Sequence, residues 1–555
     1  MPNKYILIYI MLCMSFPVIL PAQEALKSAE EEYYDFLALQ GLTKRPTLNY
    51  RTLSDSVWSL DEGASHPWQG QNLGTFHHLF GDFRLRAYGP ELFMSVNTAA
   101  PYGQNDGVLW QGRGFNALFK SGIRFEGYGV ELTLLPHFAF SQNAPFDIMS
   151  SHYESEYGYF WGYGKSKSNS GGADAPQRFG DKPFFDWDFG DSEIRYTWKT
   201  LTIGFGTQAI WLGPSYLNSI LHSNNAPAYP KFDIGLRRQR VTLPWLGWYL
   251  GDVEARLWVG RLSESDYFDN DDSNNSTMFH GFSFAYAPSF LPGLTLFVNR
   301  VCLVPWEWED LKYMFPSDDN TIEDQKASFG FSWIFPQVGF EVYGEMGIDD
   351  FVPDGSLGYI RHLFHTTVYT AGLKKTVQIK PKKTLYSEII FEFNWMEMTK
   401  DYFFYFPYSF YFHYNITQGY TNRGQWLGNG LGSGGNSQYL AYVLYYHHGS
   451  SSIFIQRNNP DNNYIYKNAI NDTPDNIMLG TKNIHYIKAN FDIGITTLYF
   501  VANNINISGG IIYNLIINPF YKRTGGQDGI TSNLDRGDIV LMHNFSFNLG
   551  MKVRI

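Results

Sequence analysis

Residues 545–555 read FSFNLGMKVRI, and that stretch decides the fold. Phe545, Phe547, Leu549, Met551, Val553 and Ile555 alternate with Ser546, Asn548, Gly550, Lys552 and Arg554. A period of two sends successive side chains to opposite faces of a strand, so one face is oily and the other wet. The rhythm recurs upstream. Phe83, Leu85 and Ala87 alternate with Asp82, Arg84 and Arg86; Val253, Ala255, Leu257 and Val259 with Glu254, Arg256 and Trp258; Leu385, Ile389, Phe391, Phe393 and Trp395 with Glu388, Glu392 and Asn394. Alternation alone fits a soluble sandwich, whose apolar faces meet in a core, and equally a membrane barrel, whose apolar face meets lipid.

Composition separates the two. Of 555 residues 18% are aromatic and 17% charged, with 39 Tyr, 45 Phe and 15 Trp. Rings as plentiful as charges endanger a soluble surface, whereas a transmembrane barrel needs them for two interfacial girdles. A 44% hydrophobic fraction excludes a disordered chain, and no stretch after the N-terminus has the roughly 18 apolar residues of a spanning helix. Short turns join alternating runs at Lys199-Thr200 and Pro336-Gln337; long Gly- and Asn-rich stretches, such as 143–190, 263–279, 305–327, 400–437, 456–482 and 518–537, join the other ends. That asymmetry is expected of an all-β transmembrane antiparallel barrel with short periplasmic turns and long external loops. The terminal strand resembles the signal read by outer-membrane barrel assembly machinery, although that signal more often ends in an aromatic residue than in Ile555. Roughly 480 barrel residues at about 27 per strand and connection give about 18 strands, with 16 acceptable.

Residues 1–22 carry Lys4, an apolar run from Tyr5 to Leu20, and Ala22, the pattern of an export signal. Residues 23–72 read as a short periplasmic helical cap, and 73–555 as the barrel. In the cap, Ser28 and Glu31 have capping-box spacing, Tyr33, Phe36 and Leu37 share a face, and Gly41 supplies a stop. A second helical piece is expected over 54–60. With Cys13 in the export signal, Cys302 stands alone in the mature chain, so the fold holds without an internal disulfide. A net charge of −11 with no long Lys/Arg run excludes a nucleic-acid partner.

Two segments carry a resemblance: WLGPSYLNSILHSNNAPAYP (211–230) and GYTNRGQWLGNGLGSGGNSQ (419–438). With DGVLWQGRGFNALF (106–119), APQRFGD (175–181), GRLSES (260–265) and FEVYGEMGIDD (340–350), they are similar, in order, to segments of the Wzi family of capsule-assembly outer-membrane proteins. The resemblance implies a barrel with a helical element at its periplasmic end. It also implies an outer-membrane lectin that retains capsular or related polysaccharide at the cell surface, without catalysis. Leu212 stands where a second Trp is common in the family, and Ala228-Tyr229 where Gly-Phe is usual.

Sugar recognition needs flat apolar faces beside planar donors and acceptors. Trp211, Tyr216 and Tyr229 lie among Asn224 and Asn225, and Tyr420 and Trp426 among Arg423 and Gln425; these nine are the candidate polysaccharide contacts. The same Gly/Pro/Asn-rich segments read equally as loops folded into the barrel mouth for structural reasons. By the alternation, Asp82, Arg84, Arg86, Glu254, Arg256, Glu341, Glu345, Glu388 and Glu392 face the lumen. They form either a charged pathway for a solute or a rigidifying network of ion pairs.

Residues 269–273 begin like a calcium loop but lack its Gly and distal Glu, so neither metal nor cofactor is expected. No His-Glu-x-x-His, Gly-x-Ser-x-Gly or phosphate-binding Gly-Lys-Ser/Thr motif is present, and Gly190-Asp191-Ser192 precedes a strand rather than a helix. Three functions follow in order of expectation: polysaccharide retention, a diffusion channel for saccharides or other small solutes, and an outer-membrane hydrolase. The expected partners are surface polysaccharide, outer-membrane lipid and lipopolysaccharide, and the assembly machinery during biogenesis. A wall that closes on itself needs no second subunit, so a monomer is expected.

Overall fold

The structure, a computed structural model, describes residues 19–24, 27–61, 63–74, 76–148, 155–158, 173–269, 271–307, 309–310, 312, 323–349, 357, 361, 366–380, 384–397, 410–413, 415–460, 488–519 and 540–555. Among these residues eighteen antiparallel strand positions close into a barrel. In chain order they are β1 (Phe83–Asn97), β2 (Gly114–Gly127), β3 (Val130–Leu134 with His137–Ser141), β4 (Phe184–Asp188 with Glu193–Trp198), β5 (Leu201–Gly206) and β6 (Lys231–Thr242). There follow β7 (Tyr249–Ser263), β8 (Ser276–Pro288), β9 (Leu294–Pro305), β10 (Asp324–Phe335), β11 (Phe340–Asp349) and β12 (Thr367–Lys380). The wall is completed by β13 (Leu385–Trp395), β14 (Asn436–Tyr446), β15 (Gly449–Asn459), β16 (Ala489–Ala502), β17 (Ile505–Ile517) and β18 (Leu541–Val553).

The terminal alternation does what its rhythm demands. Phe545, Phe547, Leu549 and Met551 face outward and are exposed, while Asn544 and Ser546 are buried inside. β18 then closes the ring on β1, from Ser546 opposite Asn97 to Lys552 opposite Glu91. Closure leaves no unpaired edge in the bilayer, where an unsatisfied amide costs several kcal/mol. β3 and β4 are both interrupted at one level. Pro136 has no amide to donate, and the amide of Leu135 turns instead to Ser192 Oγ at 2.8 Å.

Both short turns expected from sequence are present. Lys199 takes φ 57° in the two-residue link between β4 and β5. Between β10 and β11, Pro336–Val338 form a 3₁₀ turn closed by Gly339 at φ 59°, where an added Cβ would stand 2.2 Å from Thr376 Oγ1.

The N-terminal segment is seated inside the short-turn end of the lumen. Helix α1 (Ala29–Leu39) is capped by Ser28, which accepts from the Glu31 amide at 3.2 Å. The Glu31 carboxylate takes the Lys27 amide at 2.7 Å, one residue before the amide a standard capping box would use. Tyr33 stacks on Trp68 at 3.8 Å and Phe36 on Tyr445 at 4.1 Å, and Phe500 meets the edge of Trp68. The expected helix over 54–60 is a strand instead: Val57–Asp61 pairs with Ile19–Gln23. Alternation of Trp58 and Leu60, which pack with Tyr34 and its neighbours, outweighs local helix preference there. Residues 1–18, most of the expected export signal, lie outside the described residues.

Candidate functional site

Two connections, 207–230 between β5 and β6 and the described part of 396–435 between β13 and β14, fold into the lumen and pack on one another. Their shared core contains Leu212, Ile220, Leu221, Tyr229, Tyr411, Tyr420 and Leu427, and it also takes Trp258 and Phe279 from the wall. Tyr411 and Tyr420 stack at 5.1 Å, and the Tyr420 hydroxyl donates to the Leu221 carbonyl at 2.7 Å. The core is a plug rather than a channel lining.

Charges on the wall hold this plug. Glu254 accepts the amides of Leu48, Asn49 and Tyr50 at 2.7–3.0 Å. Glu392 accepts those of Tyr216, Leu217 and Asn218, and also the Tyr343 hydroxyl at 2.8 Å. Arg45, just after α1, forks onto Glu341 at 2.6 and 2.7 Å and reaches Asp35 at 2.6 Å. Arg86 pairs with Glu24, and Arg84 with Glu126. Arg256 joins Asp55 and Asp233, each at 2.6 Å; Asp233 pairs on with Arg195, while Asp55 continues to Arg237 and Glu131. Glu388 accepts from the Tyr445 hydroxyl at 3.2 Å. Glu345 is buried beneath Gly213, where φ is 82° and an added Cβ would stand 2.3 Å from a carboxylate oxygen. Asp82 is a correction: it is exposed in the turn before β1, because the strand begins one residue later. Arg195, Asp233, Arg237 and Lys374 belong to the network although sequence reading did not single them out. Asp233 and Lys374 stand in the alternation, but their role depends on which plug residue faces them.

The candidate sugar contacts divide. Trp211 is fully buried, bonded through its backbone to Arg51, with the Arg51 guanidinium 5.2 Å from its ring. Tyr229 and Tyr420 are likewise interior, and Tyr229 shares a 2.6 Å hydrogen bond with His222. Burial pushes the His222 imidazole down to about 3, so it is neutral. Trp211 and Tyr420 present no exposed face, which corrects their reading as stacking platforms, whereas Tyr229 borders an interior cavity. Tyr216 sits deeper, stacked on Tyr439 at 5.8 Å with Lys27 Nζ 3.8 Å from its ring. Arg423 pairs with Asp186 at the barrel rim, and Asn224 faces a separate interior cavity of about 250 Å³.

Asn225, Gln425 and Trp426 do converge. They line one side of a cavity of about 610 Å³ on the long-loop side, between the plug and the wall formed by β14 to β18 and β1. Trp426 is mostly buried and stacked on Tyr411 at 5.6 Å, so it shapes the cavity more than it opens into it. Asn225 Nδ2 donates to the Trp426 carbonyl at 3.0 Å and Gln425 Nε2 to the Gly107 carbonyl at 2.9 Å. The remaining lining was missed from sequence: Trp110, Gln111 and Asp106 from the β1–β2 loop, and Gln456, Asn458, Asn490, Asp492, Asn514 and Asn548 from the wall. Among them Trp110 Nε1, Gln456 Nε2 and Asn490 Oδ1 have no protein partner within the described residues. A repeated polar amide at inward positions of β15 to β18 was the available signal. Burial pushes the Asp106 carboxyl up to about 6.

Residues 159–305 match the family model described as capsule assembly protein Wzi. Wzi of Escherichia coli, an outer-membrane carbohydrate-binding β-barrel involved in group 1 capsule assembly, shares the fold over 84% of each chain, at 13% identity and a TM-score of 0.53. OccAB2 of Acinetobacter baumannii matches 84% of this chain and 98% of its own at 11% identity, and OprB of Pseudomonas putida 85% and 94% at 10%; their TM-scores are 0.40 and 0.35. No curated protein matches in sequence. The matched segment lies within a closed antiparallel barrel of the same fold as that Wzi structure.

Proposed function

We propose that this protein binds surface polysaccharide non-covalently in the outer cavity and so retains it at the cell. The observation that carries the reading is the amide-rich lining of that cavity, to which Gln111, Gln425, Gln456, Asn458, Asn490 and Asn514 all belong. Side-chain amides each offer donors and an acceptor, which suits a ligand rich in hydroxyls. Trp110 supplies an aromatic ring beside them, and Trp426 borders the same cavity. The match to a capsule-assembly family supports the same reading. The role is binding, without turnover, by a monomer inserted by the barrel assembly machinery among outer-membrane lipid and lipopolysaccharide. Comparing cells with and without the protein tests it: released polysaccharide rises relative to attached polysaccharide when the protein is absent, and an unchanged ratio refutes the proposal.

A second reading, passage of small solutes, has one observation in its favour. An inner cavity of about 370 Å³ beside α1 shares Phe93, Tyr439, Phe454 and Asn548 with the outer one, so the two adjoin at these side chains. Steady single-channel conductance of the intact protein in a planar bilayer would favour passage over retention.

A further inference from the structure

We propose that the β6–β7 hairpin is a lipid anchor, whose tip seats in the phospholipid headgroup layer at the short-turn end of the barrel while Lys199 and Arg240 receive the phosphates of anionic lipid. The hairpin stands past both of its neighbours. β5 begins at Leu201, opposite Leu236, and β8 ends at Pro288, opposite Gly251, yet β6 runs on to Thr242. Beyond these points the turn reads Leu243-Pro244-Trp245-Leu246-Gly247-Trp248. Its own backbone closes it, the Leu243 amide donating to the Trp248 carbonyl at 2.8 Å and the Gly247 amide to the Leu243 carbonyl at 3.0 Å. Trp245 is 100% exposed, with Leu246, Trp248 and Leu250 exposed beside it. Its φ of 78° lies in the left-handed region, which a bulky residue enters only at a cost in backbone strain. A closed turn that holds two indoles and a leucine outward presents a surface that water disfavours and an interface would cover.

Continuity with the lipid-facing wall identifies the occupant. The strands on this side carry exposed Phe232, Ile234, Leu296 and Val298 outward, and the hairpin prolongs that surface. The next tip joins it. Ser289 donates through its amide to the Leu250 carbonyl at 3.0 Å and through Oγ to the Tyr249 carbonyl at 2.7 Å, which sets exposed Phe290 and Leu291 beside the hairpin. Trp and Tyr favour headgroup depth, because an apolar ring with one polar hydrogen suits a layer that is partly wet. The charges agree with this. Lys199 Nζ lies 5.0 Å from the Trp198 ring and the Arg240 guanidinium 4.2 Å from the Tyr249 ring. The two belong to one corner of the rim, where Thr200 Oγ1 donates to Gln239 Oε1 at 2.7 Å. Asp252, opposite Arg240 in the register, is taken by Arg238 at 2.7 Å and by the Tyr249 hydroxyl at 2.8 Å. Cations set beside rings at the edge of an apolar band attract lipid phosphate.

The test uses the full chain carrying Cys13→Ser and Leu246→Cys, so that a nitroxide attaches at position 246 while Cys302 is fully buried. The labelled protein is reconstituted in phosphatidylcholine vesicles with and without phosphatidylglycerol. Power saturation compares collisions with oxygen, which partitions into lipid, and with a nickel chelate, which stays in water. The oxygen-to-nickel ratio at 246 should exceed that of a label placed by Asp272→Cys, on an exposed long loop, by roughly fivefold. Phosphatidylglycerol should raise it about twofold further. Lys199→Gln/Arg240→Gln should remove the second increase and keep the first, with heat-modifiable migration verifying a folded barrel. An equal ratio at 246 and 272 overturns the anchor and leaves the tip to a partner on the water side. Immersion that is indifferent to phosphatidylglycerol overturns the assignment of the two cations to lipid phosphate.

Discussion

The Glu392 carboxylate on β13 accepts the backbone amide of Asn218 at 2.8 Å, so a charge fixed to the barrel wall closes a turn of the internal loop 174 residues earlier in the chain. Tyr216 and Leu217 donate to the same carboxylate, which is fully buried. Replacing it with Gln keeps one acceptor and turns the amide's own N–H groups toward these donors. Glu392→Gln should therefore destabilise the packing of 207–230 by about 2–4 kcal/mol. Hydrogen exchange should accelerate across 207–230 and leave the amides of β7 to β10 protected; uniform acceleration over the whole barrel would contradict this assignment.

Arg45 is the corresponding fastener of the N-terminal segment. Burial alone would raise the Asp35 carboxyl, but Arg45 and Lys374 override it and hold Asp35 well below the usual carboxylate range. Arg45→Ala leaves Asp35 and Glu341 without the guanidinium that joins them. A loss of about 3 kcal/mol in the docking of α1 is expected, reduced by the partial exposure of Arg45. Limited proteolysis should cut within 29–45 in the variant under conditions that spare the parent.

Within the cavity, Trp110→Ala and Gln456→Ala should each raise the Kd for surface polysaccharide about tenfold, with little change in thermal stability. Tyr420→Ala should behave oppositely. It removes a fully buried ring from the plug and costs about 3–5 kcal/mol, measured as a lowered unfolding midpoint of the loop core. Trp426→Ala should show both effects, because its ring is packed on Tyr411 and also borders the cavity.

Acid should loosen the plug through His222. Its folded value near 3 lies below the ordinary histidine value of 6.5, so between those pH values the unfolded chain binds the extra proton. Stability from this group is whole above about pH 6.5 and falls on acidification, by up to about 1.4 kcal/mol per pH step, until pH about 3. Asp106 and Asp174, each pushed up to about 6 by burial, act in the opposite sense between about pH 4 and 6. His222→Gln should reduce the first slope, to which His66, lowered by burial to about 4, contributes in the same sense, and leave the second, as read from denaturant midpoints between pH 4 and 7.

The barrel was legible because strands in lipid obey a local rule. Val253 to Val259 must alternate with Glu254 to Trp258 whatever lies elsewhere in the chain, and the run from Phe545 to Ile555 shows the same constraint. The start of α1 was legible for a similarly local reason, since Ser28 and Glu31 are three residues apart. Residues 54–60 were misread as helix because their strand exists only by pairing with Ile19–Gln23.

The sequence by itself determined the cylinder and the inward direction of Glu254, Glu341 and Glu392, and bounded the strand number. Only the tertiary structure decided that those charges grip a plug, and that Trp211, Tyr229 and Tyr420 are its core while Trp110, Gln456 and Asn490 face a cavity. Loop residues have no period to say which way they point. Tyr420 is buried because the Leu221 carbonyl, 199 residues away, folds against it, and such a contact is fixed by packing across the lumen rather than by neighbours along the chain.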